Sequence, residues 1–311
     1  MKTTLVHRNG GPPQIEIREV DAPEPGPGQV RIQVRAAGVN PVDVAVREGW
    51  LAEAGLMPAE GTFGSGWDVA GEIDALGDGV TRFAVGDAVV GLHDRLIVGS
   101  KTHAEQVVLD ADAVAHAPRN ATWAEAATLP LNALTAWQAL DLIDLAAGQT
   151  LLVTGAAGAL GGFLVELGAL RGLRVVAVAG ADDEALVRHL GASEFVARTD
   201  AIGEAVRAVV PGGVDGATDA AVIGAPALEA VRNRGRYINF VSGRAPEQLR
   251  GTDVRTQFIY ADGHQLELLV ALVEAGRLTP RVAQTLPLSE VANALDRQAG
   301  GGLRGRLVLE P

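Results

Sequence analysis

The stretch Thr154-Gly155-Ala156-Ala157-Gly158-Ala159-Leu160-Gly161 can do chemistry without any reactive side chain. It follows an apolar run, Thr150 to Thr154, and opens a second, Leu160 to Arg171, so the sequence reads strand, tight turn, helix. Backbone amides at such a helix N-terminus converge on one point, and the helix dipole favours an anion there. Measured against Gly-x-Gly-x-x-Gly, Ala156 takes the place of the first glycine, while Gly158 and Gly161 hold the second and third. Gly158 lets a phosphate come close to the backbone, and Gly161 lets helix and strand pack closely. The chemistry is the holding of a pyrophosphate by Ala156, Ala157, Gly158, Ala159, Leu160 and Gly161. Alone, the string also suits a strand-helix turn with no ligand. No Gly-Lys-Ser/Thr follows and no lysine lies in this half, which excludes a P-loop.

Two further positions bear on which dinucleotide would bind. The next strand, Leu173 to Ala179, ends at Gly180, a cofactor-binding candidate, with no carboxylate at its tip. An NAD enzyme usually places an acidic residue there for the ribose 2′-hydroxyl. Asp182, Asp183 and Glu184 follow and read instead as the acidic first turn of a helix. Arg198, at the end of the following strand, is the candidate partner of a 2′-phosphate; a solvated surface arginine is the other reading. The balance leans to NADPH, with NADH possible. Cysteine is absent, which rules out disulfides, thiolate nucleophiles, iron-sulfur clusters and cysteine-held zinc. The six histidines (His7, His93, His103, His116, His189, His264) lack metal-binding spacing and read as surface or hydrogen-bonded residues.

The elements that must position these residues change character along the chain. Residues 1–110 hold short strand-like runs, such as Val30, Ile32 and Val34 alternating with polar neighbours, separated by Pro and Gly turns. That is the texture of an irregular, mostly antiparallel β domain. From about 120 the periods lengthen, with one or two helices in 124–144. Strand and helix then alternate: strands at 150–154, 173–179, 194–197, 214–220 and 236–241, helices at 160–171, 182–190, 201–210 and 226–232. Such alternation builds a doubly wound parallel sheet. After about 254 it stops; Asp262 and Gln265 cap a helix over 264–275, a second runs over 289–298, and Arg306 to Leu309 suits a last strand. The fold class is α/β.

At 311 residues the chain exceeds the size of about 250–300 at which single cores stop growing. Apolar residues make up 48% and charged residues 21%, as expected of a folded chain. The net charge of −12, with no basic run and only Lys2 and Lys101 as lysines, argues against nucleic acid or anionic membranes as partners. Residues 1–10 are too polar for a signal-peptide core and no apolar run is long enough to span a bilayer, so a cytoplasmic enzyme is expected.

With these pieces placed, the chain resembles the zinc-independent quinone oxidoreductase branch of the medium-chain dehydrogenase/reductase superfamily. The resemblance rests on 36–43 (Ala-Ala-Gly-Val-Asn-Pro-Val-Asp) with Arg47 and Gly49, and on 66–71 (Gly-Trp-Asp-Val-Ala-Gly). It rests also on 77–80, 83–89, Leu134-Thr135-Ala136, the 155–161 turn and the closing 304–309. It covers nearly the whole chain. It implies a GroES-like mostly-β catalytic domain from 1–121 and 254–311, a Rossmann-like domain over 122–253, and a homodimer. In the superfamily's alcohol dehydrogenases a cysteine stands in the place of Asn40 and a histidine in that of Trp67; neither residue present here suits zinc. Without zinc, a quinone or enone is the favoured acceptor because conjugation delocalises the charge a hydride brings.

By the same resemblance, Asn40 lies beside nicotinamide and substrate, where its amide would bond the acceptor oxygen; a turn asparagine before Pro41 is the other reading. Thr135 would contact the nicotinamide end of the cofactor, and Val241, Ser242 and Gly243 would line that pocket. Phe258 and Tyr260 would wall the substrate cleft, although buried packing is the plainer reading of Phe258. Two departures stand out. Relatives often carry a basic residue near Asp183 for the 2′-phosphate, and tyrosines near 103 and 106, where this chain has His103 and Gln106. Local packing explains the second departure, with a proton-donor role for His103 the less favoured reading. The competing readings are an enoyl-thioester or enone reductase of the same superfamily, and a non-catalytic dinucleotide-binding redox sensor.

Overall fold

Short strands with one apolar face dominate the start of the chain. The computed structural model describes residues 1–8, 14–199 and 201–311. Strands β1 (Lys2–Arg8), β2 (Gln14–Glu19), β3 (Gln29–Val39), β4 (Gly61–Gly64), β5 (Asp68–Leu76), β6 (Ala88–Leu92), β7 (Gln106–Asp110) and β8 (Val114–His116) pair with one another antiparallel. The alternation in β3 buries Val30, Ile32 and Val34 against Val69, Ile73 and Val107 and leaves the intervening side chains outward. Two register shifts between β3 and β5 bend the pair, as bulges do.

One helix in this stretch departs from the sequence expectation. Asn40-Pro41 starts the helix Pro41–Glu48: Asn40 is its extended N-cap, proline sits at its first turn, and Gly49 ends it in the left-handed region at φ 88°. The Asn40 amide N–H donates to Asp43 Oδ2 at 2.8 Å, which secures the entry. The turn reading of Asn40 therefore gives way to a helix cap.

The chain divides into two compact units, Met1–Leu134 with Tyr260–Gly276 and Pro280–Pro311, and Thr135–Ile259 with Arg277–Thr279. Helix Pro130–Ile143 starts in the first and ends in the second. Among the described residues, the second unit holds a six-stranded, wholly parallel sheet in the order β11-β10-β9-β12-β13-β14. Its strands are β9 (Thr150–Thr154), β10 (Arg174–Ala179), β11 (Glu194–Ala197), β12 (Val214–Asp219), β13 (Val231–Asn239) and β14 (Asp253–Thr256). Numbered from β9, this is the doubly wound order 3-2-1-4-5-6, whose direction reverses between β9 and β12. Central strands β9 and β10 carry unbroken apolar runs, Leu151 to Val153 and Val175 to Ala179, because both faces are covered. β13 starts five residues before the expected Arg236, and the edge strand β14 was not foreseen; its residues Asp253, Val254, Arg255 and Thr256 carry no apolar run.

The chain end returns to the first unit. Helix Gly263–Glu274 begins where Gln265 N–H donates to Asp262 Oδ1 at 2.9 Å and is followed by Gly276 at φ 65°. β15 (Val282–Pro287) and β16 (Arg306–Glu310) extend the larger sheet, with Leu307 opposite Val39 in β3. The helix Val291–Ala299 packs Val291, Ala294 and Leu295 against Val39 and Leu307. Among the described residues, no helix is long and apolar enough to cross a membrane.

Candidate functional site

In the second unit, the turn after β9 has the shape its glycines require. Gly155 sits at φ 61°, and a Cβ on Gly161 would stand 2.6 Å from the Gly155 carbonyl carbon and 2.8 Å from Ala156 Cα. Only a bare glycine lets the helix Ala159–Leu170 start this close to the strand. Gly158 is the helix N-cap, extended at φ −71°, with no side chain capping the first turn and no acidic residue in it. The first helical amides have no intrahelical carbonyl to bond and carry the positive end of the dipole. The Ala156 and Gly158 N–H already donate to the Val178 and Gly155 carbonyls at 3.1 and 2.9 Å, so the amides whose chemistry suits an anion such as a pyrophosphate are those of the first helical turn, Ala159 to Gly161. Ala156 and Ala157 are buried, and Gly158, Ala159 and Leu160 are partly open.

A buried network anchors the turn. Thr154 Oγ1 donates to Asp219 Oδ1 at 2.5 Å, while the Tyr237 hydroxyl and the Gly224 amide donate to Oδ2 at 2.5 and 2.8 Å. Ala221 N–H in turn donates to Thr154 Oγ1 at 3.0 Å. Together these bonds tie the carboxyl ends of β9, β12 and β13 at the switch point, where ligands of such sheets bind. Burial and the neighbouring Asp219 push the Tyr237 hydroxyl far up, so it stays a donor. Sequence reasoning missed Asp219 because a strand-end aspartate reads as a turn residue.

Of the remaining cofactor candidates, Gly180, Arg198 and Val241 to Gly243 follow the carboxyl ends of β10, β11 and β13. Gly180 follows β10, and the Arg198 N–H donates to the Ala179 carbonyl at 2.7 Å, which sets exposed Arg198 beside that strand tip. Asp182 is exposed and Asp183 buried, both in the short turn of helix after Gly180. Thr135 is buried within the helix Pro130–Ile143. Val241, Ser242 and Gly243 form a turn after β13, closed by Arg244 N–H to the Val241 carbonyl, with Gly243 at φ 74°. Phe258 is 61% exposed, which overturns its reading as core packing. Tyr260 is half exposed and belongs to the first unit, whereas Phe258 belongs to the second.

In the first unit, Asn40 is completely buried at the centre of a polar cluster. Its Nδ2 donates to Asp68 Oδ2 at 2.5 Å, and its Oδ1 accepts from Asn132 Nδ2 at 3.2 Å. Asn132 Oδ1 accepts from the guanidinium of Arg306, which also donates to the Val39 carbonyl at 3.1 Å. Leu131 N–H donates to Asp68 Oδ1 at 2.5 Å, and Gly66 N–H to Asp43 Oδ1 at 2.8 Å. Burial pushes the Asp68 carboxyl up to about 6 against these donors, and pushes Arg306 down to about 10. Asp68 and Arg306 fall inside the quoted motifs, yet nothing in their spacing signals that two amides would link them.

Beside this cluster lies Trp67, 5% exposed, with the Lys101 ammonium 3.6 Å from its ring centroid. Lys101 is itself only 2% exposed, and burial pushes its ammonium down to about 7 against the pull of Asp43, Asp94 and Asp68. The scarcity of lysine was the one available signal. His103, fully buried, meets Ser65 Oγ at 2.9 Å and the Gly38 carbonyl at 3.0 Å, a packing role. His93 departs from expectation: it is buried with no partner at Nδ1, and desolvation pushes it down to about 4. Among the described residues, no group of three or more His, Cys, Asp or Glu is placed to hold a metal ion. At the two positions that relatives use for zinc, an amide oxygen already accepts from Asn132 and an indole lies under an ammonium, so these side chains do not fit a metal.

Residues 26–137 match the family described as alcohol dehydrogenase GroES-like domain, and residues 190–309 the one described as zinc-binding dehydrogenase. The chain is 30% identical to a quinone oxidoreductase of Pseudomonas aeruginosa over 97% of each chain. It is 31% identical to the mitochondrial NAD(P)H oxidoreductase RTN4IP1 of Mus musculus, over 91% of this chain and 82% of that one. Among solved structures, an alcohol dehydrogenase superfamily protein of Novosphingobium aromaticivorans superposes with a TM-score of 0.87 at 29% identity, over the whole of both chains.

Proposed function

The chain belongs to the quinone oxidoreductase branch of the medium-chain dehydrogenase/reductase superfamily, an oxidoreductase with a nicotinamide cofactor, and on that premise we propose that it uses NADPH, without zinc, to reduce a quinone or other small conjugated carbonyl compound. The observation that carries the reading is the bare Gly158 cradle at the start of a 12-residue helix, on the switch-point strand of a doubly wound sheet. When bound, the reduced nicotinamide supplies a hydride.

In this reading Ala156, Ala157, Gly158, Ala159, Leu160 and Gly161 hold the pyrophosphate, and Thr135, Val241, Ser242 and Gly243 hold the nicotinamide end. Gly180 leaves the strand tip without a carboxylate, and Arg198 beside it pairs the 2′-phosphate. Asn40 acts by orienting Asp68 rather than by direct contact, because its amide is committed on both sides, Nδ2 to Asp68 and Oδ1 to Asn132. Tyr260, half exposed, and Phe258, exposed, are the substrate-contact candidates, each with a ring open to solvent in its own unit. A homodimer in the cytoplasm, implied by the family resemblance, completes the reading.

NADPH oxidation followed against a panel of 1,4-quinones and short enones tests it. Turnover that depends on an added acceptor and survives a metal chelator is expected. A folded protein that binds NADPH yet turns over none of the panel would overturn the acceptor assignment. Loss of rate on chelation, restored by zinc, would overturn the zinc-free chemistry.

A further inference from the structure

Lys101 is placed with care for a residue assigned no role. The segment that carries it lies against Gly64 and Gly66, where a Cβ would stand 2.8 Å from Lys101 N and 2.5 Å from His103 N. His103 N–H donates to the Ser65 carbonyl at 3.0 Å, which fixes the segment further. The side chain ends over Trp67, next in sequence to the Asp68 that holds Asn40. Among the described residues its ammonium makes no hydrogen bond and no ion pair; Asp43, Asp68 and Asp94 act on it only through space, and His93 feels its charge in turn.

An ammonium carries three N–H donors, and an aromatic face satisfies at most one direction. Lys101 Nζ is not among the fully enclosed polar atoms that lack a partner, so its remaining N–H donors meet atoms from outside the chain rather than a sealed interior. A lysine kept only to cover Trp67 would be matched by methionine, which fills the same space with no charge to desolvate. The two unused donors point to an acceptor atom from outside the chain.

We propose that Lys101 is a catalytic residue that hydrogen-bonds the acceptor's carbonyl oxygen and protonates it as it gains charge, an inference that rests on the reductase reading above. For a quinone the balance would close with two new O–H bonds. One is formed by the hydride, with its electron pair, that a bound reduced nicotinamide would supply to one oxygen. The other is formed at the opposite, phenolate oxygen as an N–H bond of Lys101 breaks, giving hydroquinone. The neutral amine left behind regains its proton from water. The downward push on this ammonium, to about 7, matches a donor working near neutral pH. A fixed cation here does for the oxygen what a Lewis acid does in metal-using relatives, at the indole that replaces their histidine.

The test uses 4-nitrophenol, a stand-in for the reduced, oxygen-anionic product, added to the full chain without dinucleotide. Wild type is expected to bind it with the visible phenolate band raised. Lys101→Met should weaken binding by about tenfold or more and abolish the band shift, and Lys101→Arg should keep both. A second readout needs no variant that folds: in protein labelled with 15N at lysine Nζ, only Lys2 and Lys101 contribute, and the Lys101 resonance should move on addition of the phenol. In turnover, Lys101→Met should lower kcat by about a hundredfold with NADPH affinity unchanged. A Lys101→Met protein that binds phenolate as wild type does, or a Lys101 resonance that stays still, overturns the proposal. Both readouts are taken without NADPH, so a wild type that reduces no quinone defeats the reductase reading without being mistaken for failure at Lys101.

Discussion

Substituting alanine at Gly158 and at Gly161 should produce opposite failures, and the contrast tests whether the turn after β9 is a phosphate cradle or only a tight connection. At Gly161 the new methyl meets backbone, 2.6 Å from the Gly155 carbonyl carbon and 2.8 Å from Ala156 Cα, and no side chain can rotate away. Ordinary contact is restored only if the turn retreats by well over half an ångström. Overpacking of that kind costs about 1–3 kcal/mol. At Gly158 the only neighbour is the Gly155 carbonyl oxygen at 3.2 Å, and the φ of −71° suits alanine. Gly158→Ala should therefore unfold within about 0.5 kcal/mol of wild type. Its methyl instead occupies the space in which a phosphate would approach the amides. Charge-assisted hydrogen bonds contribute about 1.5–3 kcal/mol each, so NADPH affinity should fall by about tenfold or more. Urea unfolding and a fluorescence titration with NADPH on both variants decide the matter. If Gly158→Ala binds NADPH as tightly as wild type, no phosphate rests at this helix N-terminus, and the reductase assignment loses its foundation.

Arg198→Ala should weaken NADPH by about tenfold while leaving NADH within a factor of two, measured by calorimetry; equal loss for both would remove Arg198 from the 2′-phosphate. Tyr237→Phe deletes a donor to buried Asp219 and should cost about 1–3 kcal/mol by urea unfolding. Asp68→Asn presents an amide where Asn40 Nδ2 and Leu131 N–H both need an acceptor, so it should destabilise the fold by about 1–3 kcal/mol even at a pH where Asp68 would be protonated. His93 contributes one pH-dependent part of stability. Its folded value is pushed from 6.5 down to about 4, so between those limits its contribution falls as pH falls, while Asp68, raised from 3.8 to about 6, contributes the opposite slope below pH 6. His93→Gln should remove the His93 part, at most about 1.4 kcal/mol per pH unit, in unfolding midpoints compared between pH 7 and pH 5.

What the sequence disclosed and what it hid differ by mechanism. The alternation in β3 and the apolar runs of β9 and β10 are set by period and burial, which act locally and are legible. The 155–161 turn was legible for the same reason, since backbone geometry demands glycine at fixed spacing. The start of the helix at Pro41 was hidden because asparagine before proline suits a turn and a cap equally. β14 was hidden because an edge strand half open to solvent needs no apolar run. The cluster around Asn40 could not be read at all: Asn40, Asp68, Asn132 and Arg306 come from separate elements, and only their assembly shows that two amides link a carboxylate to a guanidinium.

That assembly also explains how an unpaired ammonium can persist at Lys101. Burial opposes the charge on Asp68, Arg306 and Lys101 alike, pushing the carboxyl up and both cations down. Each would be untenable alone, but Asp43 and Asp68 face Arg306 and Lys101, so the region is nearly balanced before any ligand arrives. The Arg306 charge is spread through hydrogen bonds to Asn132, Gln298 and the Val39 carbonyl. The Lys101 charge has no such outlet, only a ring face and distant carboxylates. An uncharged acceptor can therefore enter without upsetting the balance. An oxygen that turns negative then finds in Lys101 an ammonium whose donors have no partner among the described residues. Stabilisation of this sort grows only as charge develops, and so it favours the transition state over the bound ground state.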